Sequence, residues 1–72
     1  MNNRQYAKNK ARAAALNYAS EQLAQCSIEA RGDQVFDDPD AYSASVISQA
    51  YIELENIASE LKRRALKIER AL

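Results

Sequence analysis

The chain has no histidine and no tryptophan, and only one glycine, one proline, one cysteine and one methionine among its 72 residues. Each scarcity closes off a class of fold or function. Histidine is the commonest general base and metal ligand, so its absence removes the Ser-His, Cys-His and Glu-x-x-His constellations. A single glycine cannot build a Gly-rich phosphate loop. The sequence therefore predicts no enzyme, no cofactor, no metal site and no small-molecule substrate. One Gly and one Pro are also too few turn signals for an all-β fold, which needs one every 8 to 12 residues. Cys26 alone cannot form an internal disulfide, which points to a reducing, cytoplasmic setting. No apolar run approaches the roughly 20 residues of a membrane span, so no membrane partner is expected. The N-terminal third is basic and acid-free up to Glu21, but it lacks the Ser enrichment of a transit peptide.

What is present is a small, Ala-rich, heptad-patterned chain. The apolar fraction is 47%, but fourteen of those residues are alanines, each of which buries little area. At this length one core barely offsets the entropy of ordering the chain, so the residues 1–72 are expected to form one marginal domain. Helix 1 is predicted over about 3–31, capped by Asn2 or Asn3 and stopped by Gly32 in the left-handed conformation. Ala13, Leu16, Ala19, Leu23, Cys26 and Ala30 project as one stripe of mostly small side chains. A loop over 32–38 follows, in which Val35 and Phe36 plug the hairpin end. Helix 2 is predicted over about 39–72, with Asp38 as N-cap, Pro39 in the first helical position and Asp40 in the first turn.

The second helix repeats every seven residues. Ile47, Leu54, Leu61 and Ile68 are flanked by Ala50, Ile57 and Ala71 and by Ala44, Tyr51, Ala58, Ala65 and Leu72, with only Arg64 breaking a core-type position. Two helices this long, joined by a short loop, should lie antiparallel. They cannot enclose a core between themselves, because each leaves half its seam facing water. The expected architecture is all-α: a two-helix antiparallel hairpin dimerising into a four-helix bundle through Leu16, Leu23, Ile47, Leu54, Ile57, Leu61 and Ile68.

The remaining candidate sites are weak. Asp33, Asp37, Asp38 and Asp40 lack the alternating oxygens, central Gly and terminal Glu of a calcium loop, and helix capping accounts for them. Cys26 on the stripe of helix 1 fills space as alanine would. Tyr6 and Tyr51 fall near the stripes, whereas Tyr18 falls on the outer face. Ile52 and Leu66 lie opposite the heptad seam, where isolated apolar side chains need no function.

Charge is the better clue. The net charge is zero, yet nine of the ten basic residues sit in the first 12 or last 11 positions. In a hairpin these meet at one end, while Glu29 and the Asp cluster collect at the other. Arg4, Lys8 and Arg12 form one ridge, where like charges repel and cations oppose the helix dipole. Arg63, Lys67 and Arg70 form a second ridge near the end of helix 2, where cations suit the dipole and Glu60 can pair with Arg63 or Arg64. These six residues are the candidate partner contacts. Self-assembly explains the polarity most simply, since antiparallel packing of two hairpins sets each basic end beside the other's acidic loop. A phosphate-directed, salt-dependent nucleic-acid interaction is the alternative.

With its Ala/Leu stripe (Ala13, Leu16, Ala19, Leu23, Cys26, Ala30), its Gly-Asp turn (Gly32, Asp33) and its second heptad helix, the layout resembles the Rop family of RNA-binding helical hairpins. That resemblance implies a dimer and an RNA partner. A third reading is a protein-directed adaptor or inhibitor, since small His-free helical hairpins look like accessory proteins of phages and plasmids. The function expected from the sequence is thus a non-catalytic interaction or regulatory protein that forms a homodimer and binds a macromolecule, a protein ahead of a nucleic acid.

Overall fold

The computed structural model describes residues 2–72, so position 1 of the expected domain lies outside the described residues. Two helices, α1 (Asn3–Gly32) and α2 (Ala44–Arg70), run antiparallel along a body 56 × 17 × 14 Å. No strand occurs among the described residues. Asn2 caps α1, its Oδ1 accepting the Gln5 N–H at 2.7 Å.

The end of α1 corrects the sequence reading. Gly32 stays within the helix, Asp33 follows in a right-handed conformation, and Gln34 adopts the left-handed one at φ 55°. Gln34 N–H donates to the Arg31 carbonyl at 3.3 Å and Val35 N–H to the Ala30 carbonyl at 3.0 Å. This paired closure is a Schellman motif, with Gln34 at the position usually given to glycine. The reversal occurs there because it carries Val35 back over Ala30 and delivers Phe36 to α2.

α2 also begins later than the predicted residue 39. Asp38 does cap, its Oδ1 accepting the Asp40 and Ala41 N–H groups at 3.2 Å each, but the turn it starts ends at Tyr42. Ser43 is extended (φ −70°, ψ 161°) and α2 starts at Ala44, with Ile47 N–H on the Ser43 carbonyl. The cause lies at Tyr51, whose hydroxyl donates to Asp37 and accepts the Phe36 N–H at 3.3 Å. An unbroken helix from Pro39 would place that residue about 18 Å along the axis from Tyr51. Asp37 and Phe36 would then have to stretch taut back along the helix to reach the phenol. Breaking at Ser43 removes that demand. The connection is therefore residues 33–43 rather than 32–38.

Between the helices the contact is made by small residues. Ala13, Ser20, Ser27 and Ala30 of α1 and Tyr51, Ala58 and Ala65 of α2 are buried. Ala13, Ser20 and Ser27 recur every seven residues, as do Tyr51, Ala58 and Ala65. The Ser20 hydroxyl donates to the Ala58 carbonyl at 2.8 Å, which matches the two series in antiparallel order. A serine there satisfies its own hydroxyl while leaving room for the backbones to approach. The predicted α1 stripe is thus rotated: Ser20 and Ser27 face α2, whereas Ala19 is half-buried and Cys26 is exposed. Cys26 precedes Ser27, so it projects about 100° away from the contact.

The hairpin end is fastened around Tyr51. Phe36 packs on its ring at 5.1 Å between centroids, and the Arg31 guanidinium lies 4.7 Å over it while pairing with Glu55 at 2.9 Å. Phe36 thus plugs the end as expected. Val35 does not: it is 61% exposed.

Candidate interaction surface

The buried line of each helix separates two unlike flanks. On α2, Glu55, Lys62 and Glu69 recur every seven residues on one side of Tyr51, Ala58 and Ala65. Leu54, Leu61 and Ile68 recur at the same interval on the other. The first series is used for polar ties across the hairpin. Arg31 pairs with Glu55, Lys62 Nζ donates to Asn17 Oδ1 at 2.8 Å, and Asn17 Nδ2 donates to Glu69 Oε1 at 2.6 Å. These ties hold the two helices together along that flank. A solvent-open depression of about 420 Å³ lies there, floored by Ser20, Ala24, Ala58 and Ser59 and edged by Lys62 and Leu66.

The opposite flank is mainly aliphatic. Here Leu16, Ala19 and Leu23 of α1 and Ile47, Ala50, Leu54, Leu61 and Ile68 of α2 are half-buried, while Ile57 is 48% exposed. Among the described residues no side chain larger than alanine except Tyr51 is buried as part of the apolar core. Every large aliphatic residue assigned to the dimer core by sequence therefore lies on or beside one open strip. Arg64 is exposed near the basic end of the same strip, consistent with its placement at the break in the heptad pattern.

Each end of the open flank carries a hollow of about 250 Å³. At one end Asn9, Arg12 and Lys67 border a hollow with Ile68 and Ala71. At the other, Glu29 and Asp33 border Cys26, Ala30, Val35, Phe36 and Leu54. The hairpin thus brings the two predicted basic ridges to the same end, and Arg12 and Lys67 into one hollow. Arg4, Lys8, Arg12, Arg63, Lys67 and Arg70 are all exposed. Arg63 pairs with Glu60 at 2.7 Å, as the spacing suggests, and Lys10 stands 5.9 Å from the Tyr6 ring. Tyr6 is exposed rather than part of the helix contact, as are Tyr18, Ile52 and Leu66.

The acidic residues divide their roles. Asp37 receives the Tyr51 hydroxyl, Asp38 caps a turn, and Asp33 is the C-cap of α1. Burial, first, and the hydrogen bond to Asp37 raise the Tyr51 phenol above its ordinary pKa, only partly offset by the Phe36 N–H and the nearby Arg31 charge. Among the described residues no group of three or more His, Cys, Asp or Glu side chains is placed to hold a metal ion, and no helix is long and apolar enough to cross a membrane.

Sequence reasoning missed Asn17, Ser20 and Ser27. For the serines a signal existed, since they continue the seven-residue interval from Ala13. No protein-family model matches the chain, and neither a curated protein nor a solved structure shows significant similarity to it.

Proposed function

We propose that this chain is a non-catalytic helical interaction or regulatory protein that self-associates through its open flank and presents basic side chains to a macromolecular partner, a protein ahead of a nucleic acid. One observation carries the reading. The two helices spend only small side chains and Tyr51 on each other and leave a continuous row of Leu and Ile half in water on one side. A strip of half-exposed aliphatics running the length of a small domain is the mark of an interface rather than of a finished surface. Its size is adequate: a flank about 56 Å by 17 Å presents roughly 900 Å² per copy, within the range of stable protein interfaces. Two such layers face to face make a four-helix bundle.

Sedimentation at micromolar concentration and low salt tests this directly. A mass of two chains is expected; a single-chain mass would refute the reading. A nucleic-acid partner is favoured by one feature, the convergence of Arg12 and Lys67 in a hollow that no acidic side chain lines. Binding of that kind would be phosphate-directed and would weaken steeply with salt. An absence of RNA or DNA binding at about 50 mM salt would end it.

A further inference from the structure

We propose that the open flank is covered by a second copy laid head to tail, with Asp33 and Val35 at the hairpin end of one copy seated in the hollow formed by Arg12, Lys67 and Ile68 of the other. This rests on the self-association reading and adds its geometry. The two hollows lie on the same flank, at opposite ends, and are similar in size. One is bordered by two cations around Ile68 and Ala71. The other is bordered by two carboxylates beside Val35, an aliphatic side chain 61% exposed. Turned head to head, two copies would stack Arg12 and Lys67 on their own equivalents and Glu29 and Asp33 on theirs. Turned head to tail, every one of these charges meets its opposite, and Val35 meets an apolar floor.

The register follows from the chain itself. Arg12 and Asp33 are about 32 Å apart along α1. Superposing each on the other's copy places the two-fold axis midway, beside Leu23. The same alignment runs each row of Leu and Ile against itself in reverse. It also divides the basic residues by task. Arg12 and Lys67, which border the hollow, serve assembly. Arg70 remains outside, as does Arg63, which stays with Glu60 on its own helix.

The test uses the full chain with Cys26→Ser. R12C and D33C versions are mixed at equal concentration and oxidised. A mixed disulfide dimer is expected, with neither version cross-linking to itself. Self-cross-linking of each without the mixed product would establish the head-to-head arrangement and overturn the proposal, as would no cross-link in a chain that sediments as a dimer. A charge exchange supplies the second readout without cysteines. Arg12→Glu alone and Asp33→Lys alone should each weaken self-association by about tenfold or more, and mixing the two should restore it in the heterodimer. Failure of the mixture to recover affinity would overturn the proposal. A wild-type chain that sediments as a monomer would remove it together with the reading on which it rests, and is recognisable as that separate failure.

Discussion

Replacing Gly32 by alanine should stabilise the protein, although a glycine one residue past Arg31 looks like a helix stop that nothing else could fill. The structure fixes the sign. Gly32 is right-handed and helical, and a Cβ built on it meets nothing within 4 Å. Glycine in a helix costs about 0.5–1 kcal/mol relative to alanine, mostly through its greater freedom when unfolded. Because Gly32 occupies the last helical position, the lower half of that range applies. Gln34 is the opposite case. It holds the left-handed conformation at φ 55°, which strains a side-chain-bearing residue by roughly 1–2 kcal/mol. Gln34→Gly relieves that strain and gives part of it back as unfolded-state entropy, for a net gain of about 0.5–1 kcal/mol. In the double variant G32A/Q34G the number of glycines is unchanged, so the unfolded-state contributions nearly cancel and the conformational gain stands out. Each single change should raise the melting temperature by about 2–8 °C, at 4–8 °C per kcal/mol for a domain of this size. The assay is thermal unfolding by circular dichroism at one fixed protein concentration, since association also moves the midpoint. If Gly32 were the left-handed residue, alanine there would lower the midpoint instead. A G32A chain that melts below wild type would refute the Schellman assignment at Gln34.

Two further outcomes follow from the packing. Tyr51→Phe removes both hydroxyl contacts at the hairpin end and should lower the melting temperature, while also flattening the loss of stability in alkali. The folded phenol has its pKa raised, so its contribution is fully present below about pH 10 and is lost as pH rises through the folded value. A steeper fall between pH 9 and 11 in wild type than in Y51F checks this; parallel curves would contradict it. On α2, Leu61→Ala should cost about 2–3 kcal/mol per copy in the associated state, whereas Ile52→Ala, on the far side of the helix, should stay within about 0.5 kcal/mol. Equal effects, measured by denaturant titration, would contradict the assignment of the open flank.

Much of this architecture was legible in the residues. The seven-residue interval of Ile47, Leu54, Leu61 and Ile68 fixed α2 and one side of it, and Asn2 and Gly32 bracketed α1 to within a residue. The errors have a common origin. Hydrophobicity ranks Leu16, Ala19, Leu23 and Cys26 above Ser20 and Ser27, so periodicity alone put the contact on the greasier positions. The helices instead approach through the smaller ones, because a serine hydroxyl can be satisfied by a carbonyl of the facing helix, as Ser20 does on Ala58. That choice is what leaves the leucines available for another surface. The late start of α2 could not be read locally. Asp38-Pro39-Asp40 is a sound helix-start signal and does start a turn, but its termination at Ser43 depends on Tyr51, thirteen residues beyond Asp38. The basic ridges were visible as spacing; their meeting with Ile68 and Ala71 in one hollow needed the fold.

The small-residue seam has an implication for how the two helices find their alignment. Ala13, Ser20 and Ser27 against Ala65, Ala58 and Tyr51 form a ladder whose rungs are nearly interchangeable, so slippage by one heptad, about 10.5 Å, would cost the seam little of its packing. The eleven-residue connection is long enough to follow such a shift. Only Tyr51 is unlike the other rungs, and it is bolted to Asp37, Phe36 and Arg31 on the far side of the reversal. The hairpin end therefore acts as the vernier for the whole rod: one aromatic ring chooses among alignments that the alanines and serines would tolerate almost equally.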